Sequence, residues 1–115
     1  MLTQSAKAKG RRLQQWIRDK LVESLDVDVD DVRSVSMGAG GEDILLSKAA
    51  RDKFPFSIEA KNQERVNLWK SWEQANKNKG IYNPMLVIKR NGQAPLVVLE
   101  AEEFFEMVNK SGGWG

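Results

Sequence analysis

Apolar residues at Leu13, Trp16, Ile17, Leu21 and Leu25 recur at helical spacing and predict an amphipathic helix with one core-facing stripe. Residues 1 to about 10, ahead of it, are polar and small and read as a mobile arm. Alternation then replaces the helical spacing. Residues 32–37 set Val32, Ser34 and Ser36 against Arg33, Val35 and Met37, and Ile44, Leu45 and Leu46 make a second short strand. Ser47 caps a short helix running through Arg51 to Lys53, and Pro55 marks entry to a third strand. In that strand Phe56, Ile58 and Ala60 form an apolar face, and Ser57, Glu59 and Lys61 form the polar one.

Helical spacing returns over residues 64–78, with Val66, Leu68, Trp69, Trp72 and Ala75 apolar. The unbroken apolar run 85–88 is that of a strand buried on both faces. Asn91-Gly92 turns the chain into a hairpin partner at 96–99. Residues 102–108 predict a last helix with Phe104, Phe105 and Val108 inward, and 111–115 read as a mobile tail. The step from strand 56–61 through a helix to strand 85–89 is a crossover, which makes that pair parallel. The expected class is α/β: one domain over residues 1–115, with a mixed central sheet flanked by helices.

Composition narrows the chemistry. With 41% hydrophobic and 30% charged residues in 115, the chain has enough apolar surface for one core. It has no Cys, which excludes disulfides and thiolate metal sites and fits a reducing compartment. It has no His, which removes the usual general base and any Ser-His or Cys-His pair. Carboxylates, lysines, amides and a hard metal ion remain. Net charge is only +2, but Lys7, Lys9, Arg11, Arg12, Arg18 and Lys20 crowd the first segment against the single acid Asp19. Such a block contacts phosphates or forms a solvated helix face. No run is long enough for a membrane span and the start lacks a signal-peptide core, so a cytoplasmic location with no membrane partner is expected.

Three stretches invite a site. Asp26, Asp28 and Asp30 match the first positions of a calcium loop, but Asp31 stands where Gly is needed and Met37 where the bidentate Glu belongs. A turn between helix and strand is the better reading. The Gly38 to Gly41 turn runs into Asp43 and a strand rather than a helix, which argues against a phosphate loop and for close backbone approach beside the acid. The third is Asp43 at the mouth of one strand, with Glu59 and Lys61 on one face of the next. If the strands pair, two carboxylates and an ammonium meet at a sheet edge. Two such carboxylates suit Mg²⁺, and a lysine beside them can orient a bound water. Glu-x-Lys on an alternating strand is also a common solvent-facing ion pair.

This order of elements, with Asp43 beginning one strand and Glu59-x-Lys61 on the next, resembles the PD-(D/E)XK nuclease superfamily. It is most similar to small phage-type enzymes related to Holliday-junction resolvases, through Gly38-x-x-Gly41-x-Asp43 and Glu59-x-Lys61-Asn62. Glu42 stands where the signature name has Pro. The resemblance covers about residues 30–100 and implies an αβββαβ restriction-endonuclease-like core. It further implies that Asp43, Glu59 and the Ala60 carbonyl bind Mg²⁺, with Mn²⁺ as substitute, and that Lys61 assists the attacking water. Relatives place a Gln on the following helix, for which Gln74 is the candidate and Gln63 the alternative; Glu23 could join from the first helix. A homodimer is implied by symmetric cutting of two strands.

The expected activity is a metal-dependent endonuclease acting on DNA, above all branched DNA. The alternatives are a nicking or end-processing nuclease on linear or single-stranded DNA, and a non-catalytic DNA-binding module with a retained nuclease fold. Arg11, Arg12, Arg65 and Lys70 are candidate DNA contacts, and Lys77 and Lys79 extend the basic side of the second helix. Trp69 and Trp72 read as packing residues, with base stacking as the other use.

Overall fold

The computed structural model describes residues 3–35 and 42–113. The chain is mixed α/β, with a small mixed sheet flanked by helices. Helix α1 (Gln4–Leu25) is followed by a 3₁₀ turn (Val29–Asp31), strands β1 (Val32–Ser34) and β2 (Ile44–Leu46), and helix α2 (Lys48–Lys53). Then come β3 (Phe56–Asn62), α3 (Leu68–Asn78), β4 (Asn83–Lys89), β5 (Leu96–Val98) and α4 (Ala101–Lys110). The expected Gly38–Gly41 turn, and Ser36 and Met37 of the expected first strand, lie outside the described residues. Among the described residues no helix is long and apolar enough to cross a membrane.

Helix α1 begins at Gln4, well ahead of the apolar stripe, because the Thr3 hydroxyl caps it by accepting from the Ala6 amide at 3.0 Å. Most of the segment expected as an arm is therefore helical. The helix ends at Asp26, whose φ of 54° is left-handed and whose amide donates to the Val22 carbonyl. The Asp31 carboxylate accepts from the Asp28 amide, so the acid-rich stretch serves as the expected helix-to-strand turn.

Strand β3 pairs parallel with β4, Ile58 opposite Met85 and Glu59 opposite Leu86, and β4 pairs antiparallel with β5. Strands β1 and β2 form a separate antiparallel pair, Ser34 opposite Ile44. Two helices cover the larger sheet. Leu13, Ile17 and Leu21 of α1 pack with Phe56, Ile58, Met85 and Val87 on one face, joined by Val32, Ile44 and Ala50. The other face, carrying Ser57, Glu59 and Leu86, lies under α3, whose buried residues are Ser71 and Ala75. Strand β3 is consequently buried on both sides over its first four residues, where the polar face of the sequence pattern suggested solvent.

Two helix expectations are corrected. Helix α3 starts at Leu68 rather than Glu64: the Asn67 side chain caps it, accepting from the Lys70 amide at 3.1 Å. Its buried stripe runs through Ser71 and Ala75, which leaves Trp69 75% exposed and Trp72 half-buried. Helix α4 holds no buried residue. Phe105 is 64% exposed and Phe104 and Met107 are exposed too, because no further layer covers the apolar side of this helix within the chain. Ser111 to Gly113 close it, with the Gly113 amide donating to the Val108 carbonyl at 2.9 Å and both glycines at positive φ.

Candidate active site

Asp43 joins the two sheets. Its amide donates to the Ile58 carbonyl at 2.9 Å, and its own carbonyl accepts from Val35 at 3.0 Å. Its carboxylate accepts from the Ala60 amide at 2.7 Å. β2 therefore meets β3 through one residue rather than through a ladder, and the carboxylate stands in for a missing strand partner. Because the amide and carbonyl of a strand residue point to the same side, the Ala60 carbonyl falls on the edge that Asp43 occupies.

Glu59 is 3% exposed, on the face under α3. It hydrogen-bonds to the Asp43 side chain and to Asn78, at the last turn of α3. Burial, then the Asp43 charge, raise its carboxyl from 4.5 to about 7, with Lys61 and Asn78 opposing. The Asp43 carboxyl is also raised, by burial, against the Ala60 amide, the Glu59 hydrogen bond and the Lys61 charge. Two carboxyl groups thus share a pocket too dry for two unneutralised charges. Glu59 Oε2 is buried without a hydrogen-bond partner. Such an oxygen costs on the order of 1–3 kcal/mol unless a proton or a cation meets it. The pair fits a dication on that ground.

Lys61 lies two residues on from Glu59, on the same strand face and half-buried, and its charge acts on both carboxylates. Gln74 and Gln63 are exposed. Glu23 is exposed on α1, the helix that packs on the opposite face of the sheet. The amide group found against Glu59 is instead that of Asn78, one helical turn beyond Gln74. The signal that could have found it is the i, i+4 relation to Gln74 together with its place at the helix end. Among the described residues no group of three or more Asp, Glu, His or Cys side chains converges.

A second polar cluster flanks this edge. Arg51 of α2, 8% exposed, donates to the Phe56 carbonyl at 2.6 Å and pairs with Glu42. Its guanidinium lies 4.1 Å from the Tyr82 ring centroid. A cavity of about 340 Å³ lined by Val35, Glu42, Asn78, Lys79 and Tyr82 opens beside it. Of the candidate DNA contacts, Arg11, Arg12, Arg65 and Lys70 are all exposed, on α1, the loop before α3 and α3 itself. Comparison with protein-family models, curated proteins and solved structures finds no match to this chain.

Proposed function

We propose that the chain is a divalent-metal-dependent DNA endonuclease, acting above all on branched DNA, on a core of the restriction-endonuclease type. The observation that carries the reading is the Asp43–Glu59 pair: two raised carboxyl groups, one with a buried unpartnered oxygen, beside a lysine on the same strand. The element order α1-β1-β2-β3-α3-β4, with a parallel β3–β4 pair, supports the same reading.

In this proposal Asp43, Glu59 and the Ala60 carbonyl hold Mg²⁺ or Mn²⁺, and water completes the shell. The bound cation supplies Lewis-acid polarisation of the phosphodiester and acidification of a water. Lys61 orients that water and steadies charge growing on the phosphate. Asn78 fixes the Glu59 carboxylate, the orienting part that the sequence resemblance gave to Gln74. Exposed Arg11, Arg12, Arg65 and Lys70 supply phosphate contacts, and two copies act together on a junction.

The test is cleavage of an end-labelled four-way junction and of a linear duplex, in Mg²⁺ and in Mn²⁺, beside Asp43→Asn and Lys61→Ala. Wild-type cleavage slowed about 100-fold or more in both folded variants is the expected result. Paired symmetric cuts in the junction support the dimeric enzyme, whereas cuts in linear duplex alone keep the chemistry and discard the junction. Full activity in either variant, or no product from folded wild type with either metal, overturns the proposal.

A further inference from the structure

We propose that the cavity between α1 and the β4–β5 hairpin is a subsite for one nucleotide of a single nucleic-acid strand. Three elements meet there: Lys9, Arg12 and Trp16 from α1, Asn62 at the end of β3, and Lys89 at the end of β4. The α1 residues follow i, i+3, i+7 spacing and so share one helix face. Lys9, Arg12 and Lys89 bring three cations to one hollow that no carboxylate lines. Such a group of like charges is stabilised by an anion, and a phosphodiester suits both the ammonium groups and the guanidinium fork.

The other two residues point to a base rather than to a bare phosphate. Trp16 belongs to the apolar stripe of α1 yet is 44% exposed, with the Lys20 ammonium 5.6 Å from its ring centroid. An exposed indole beside cations is a stacking platform for a base. Asn62 donates to the Lys9 carbonyl at 3.0 Å, which sets the orientation of its amide, and its Oδ1 is buried with no partner. That oxygen accepts hydrogen bonds only, as from a nucleobase amine or imino group, and a phosphate does not satisfy it. The cavity volume, about 270 Å³, falls just below the range typical of whole small-molecule pockets and suits one nucleotide unit.

This subsite is separate from the carboxylate pair. Asn62 follows Lys61 on β3 but faces the other side of the strand. If the nuclease reading holds, the subsite grips the strand beside the cut, but binding here needs neither metal nor cleavage.

The experiment measures anisotropy of a fluorescein-labelled oligothymidylate of about twelve nucleotides, spanning a typical single-strand site, against the full chain in EDTA. Trp16→Leu should weaken binding about 10-fold by removing the stack. Arg12→Gln with Lys89→Gln should weaken it further and lower the slope of log affinity on log salt by about 1.4, for two phosphates released. Lys110→Gln, an equal loss of charge on α4, should bind as wild type does. Undiminished binding by the first two variants, or no binding at low salt, overturns the subsite. Equal affinity for thymidine monophosphate reduces it to a mononucleotide site and overturns the strand, and equal displacement by polyglutamate overturns the nucleotide. Because EDTA suppresses metal chemistry, absence of cleavage does not decide this result, and absence of binding does not decide cleavage.

Discussion

At Glu59 the folded chain binds a proton that the unfolded chain releases. Its carboxyl titrates near 7 when folded and near 4.5 when not, so between those values the native state carries more protons. Stability with respect to this group is therefore highest below about 4.5 and falls as pH rises through about 7, by on the order of 3 kcal/mol. Glu59→Gln should remove that slope and exceed wild type in stability at about pH 8, as read by urea denaturation in EDTA. Divalent cation should restore stability to wild type at that pH and not to the variant. Arg51 makes the opposite case: its charge is buried but satisfied by Glu42, the Phe56 carbonyl and the Tyr82 ring. Arg51→Met should cost about 3 kcal/mol, since Glu42 is left unpaired, and adding Glu42→Gln should recover part of it. Asp43, Glu59 and Lys61 were legible as a triad because strand alternation fixes which side chains share a face. Asn78 was not, because its approach to Glu59 depends on where α3 lies over the sheet.

Elements follow the sequence pattern in type more closely than in extent. The run 85–88 reads as buried on both faces, and β4 is so, since α1 and α3 cover it from opposite sides. Strand β3 has the same environment, but Ser57 and Glu59 disguise one of its faces as polar. Leu86→Ala and Ile58→Ala, one on each face, should therefore destabilise alike, by about 2–5 kcal/mol each, in equilibrium denaturation. Helix starts depend on single caps. Asn67→Ala should cost about 1 kcal/mol by freeing the Lys70 amide, while Glu64→Ala, outside the helix, should leave α3 intact. In α4 the periodicity is real and its direction was misjudged: spacing defines an apolar side, and only a neighbouring layer decides whether that side is inward.

On the scale of the whole molecule, two small sheets are held at their junction by the backbone and carboxylate of Asp43. The far edge is open: β5 pairs with β4 alone, and Leu96 and Val97 on it are exposed. An apolar edge strand is a template for unwanted pairing. Leu96→Lys should lower light scattering on concentration while changing stability by no more than about 0.5 kcal/mol. The Asp43–Glu59 meeting is itself a long-range product, bridging sixteen positions of sequence through the α2 connection.

The sequence alone determined what depends on local periodicity and residue chemistry: element types and order, the parallel crossover, the hairpin, and the acids and lysine of the candidate site. Tertiary structure decided what depends on how layers stack. It buried Glu59 beneath α3 and raised its carboxyl, put Asn78 rather than Gln74 against it, and left Trp16, Trp69 and Phe105 outside the core. The reason is that spacing specifies a direction within one element, whereas burial and charge environment arise only where two elements meet.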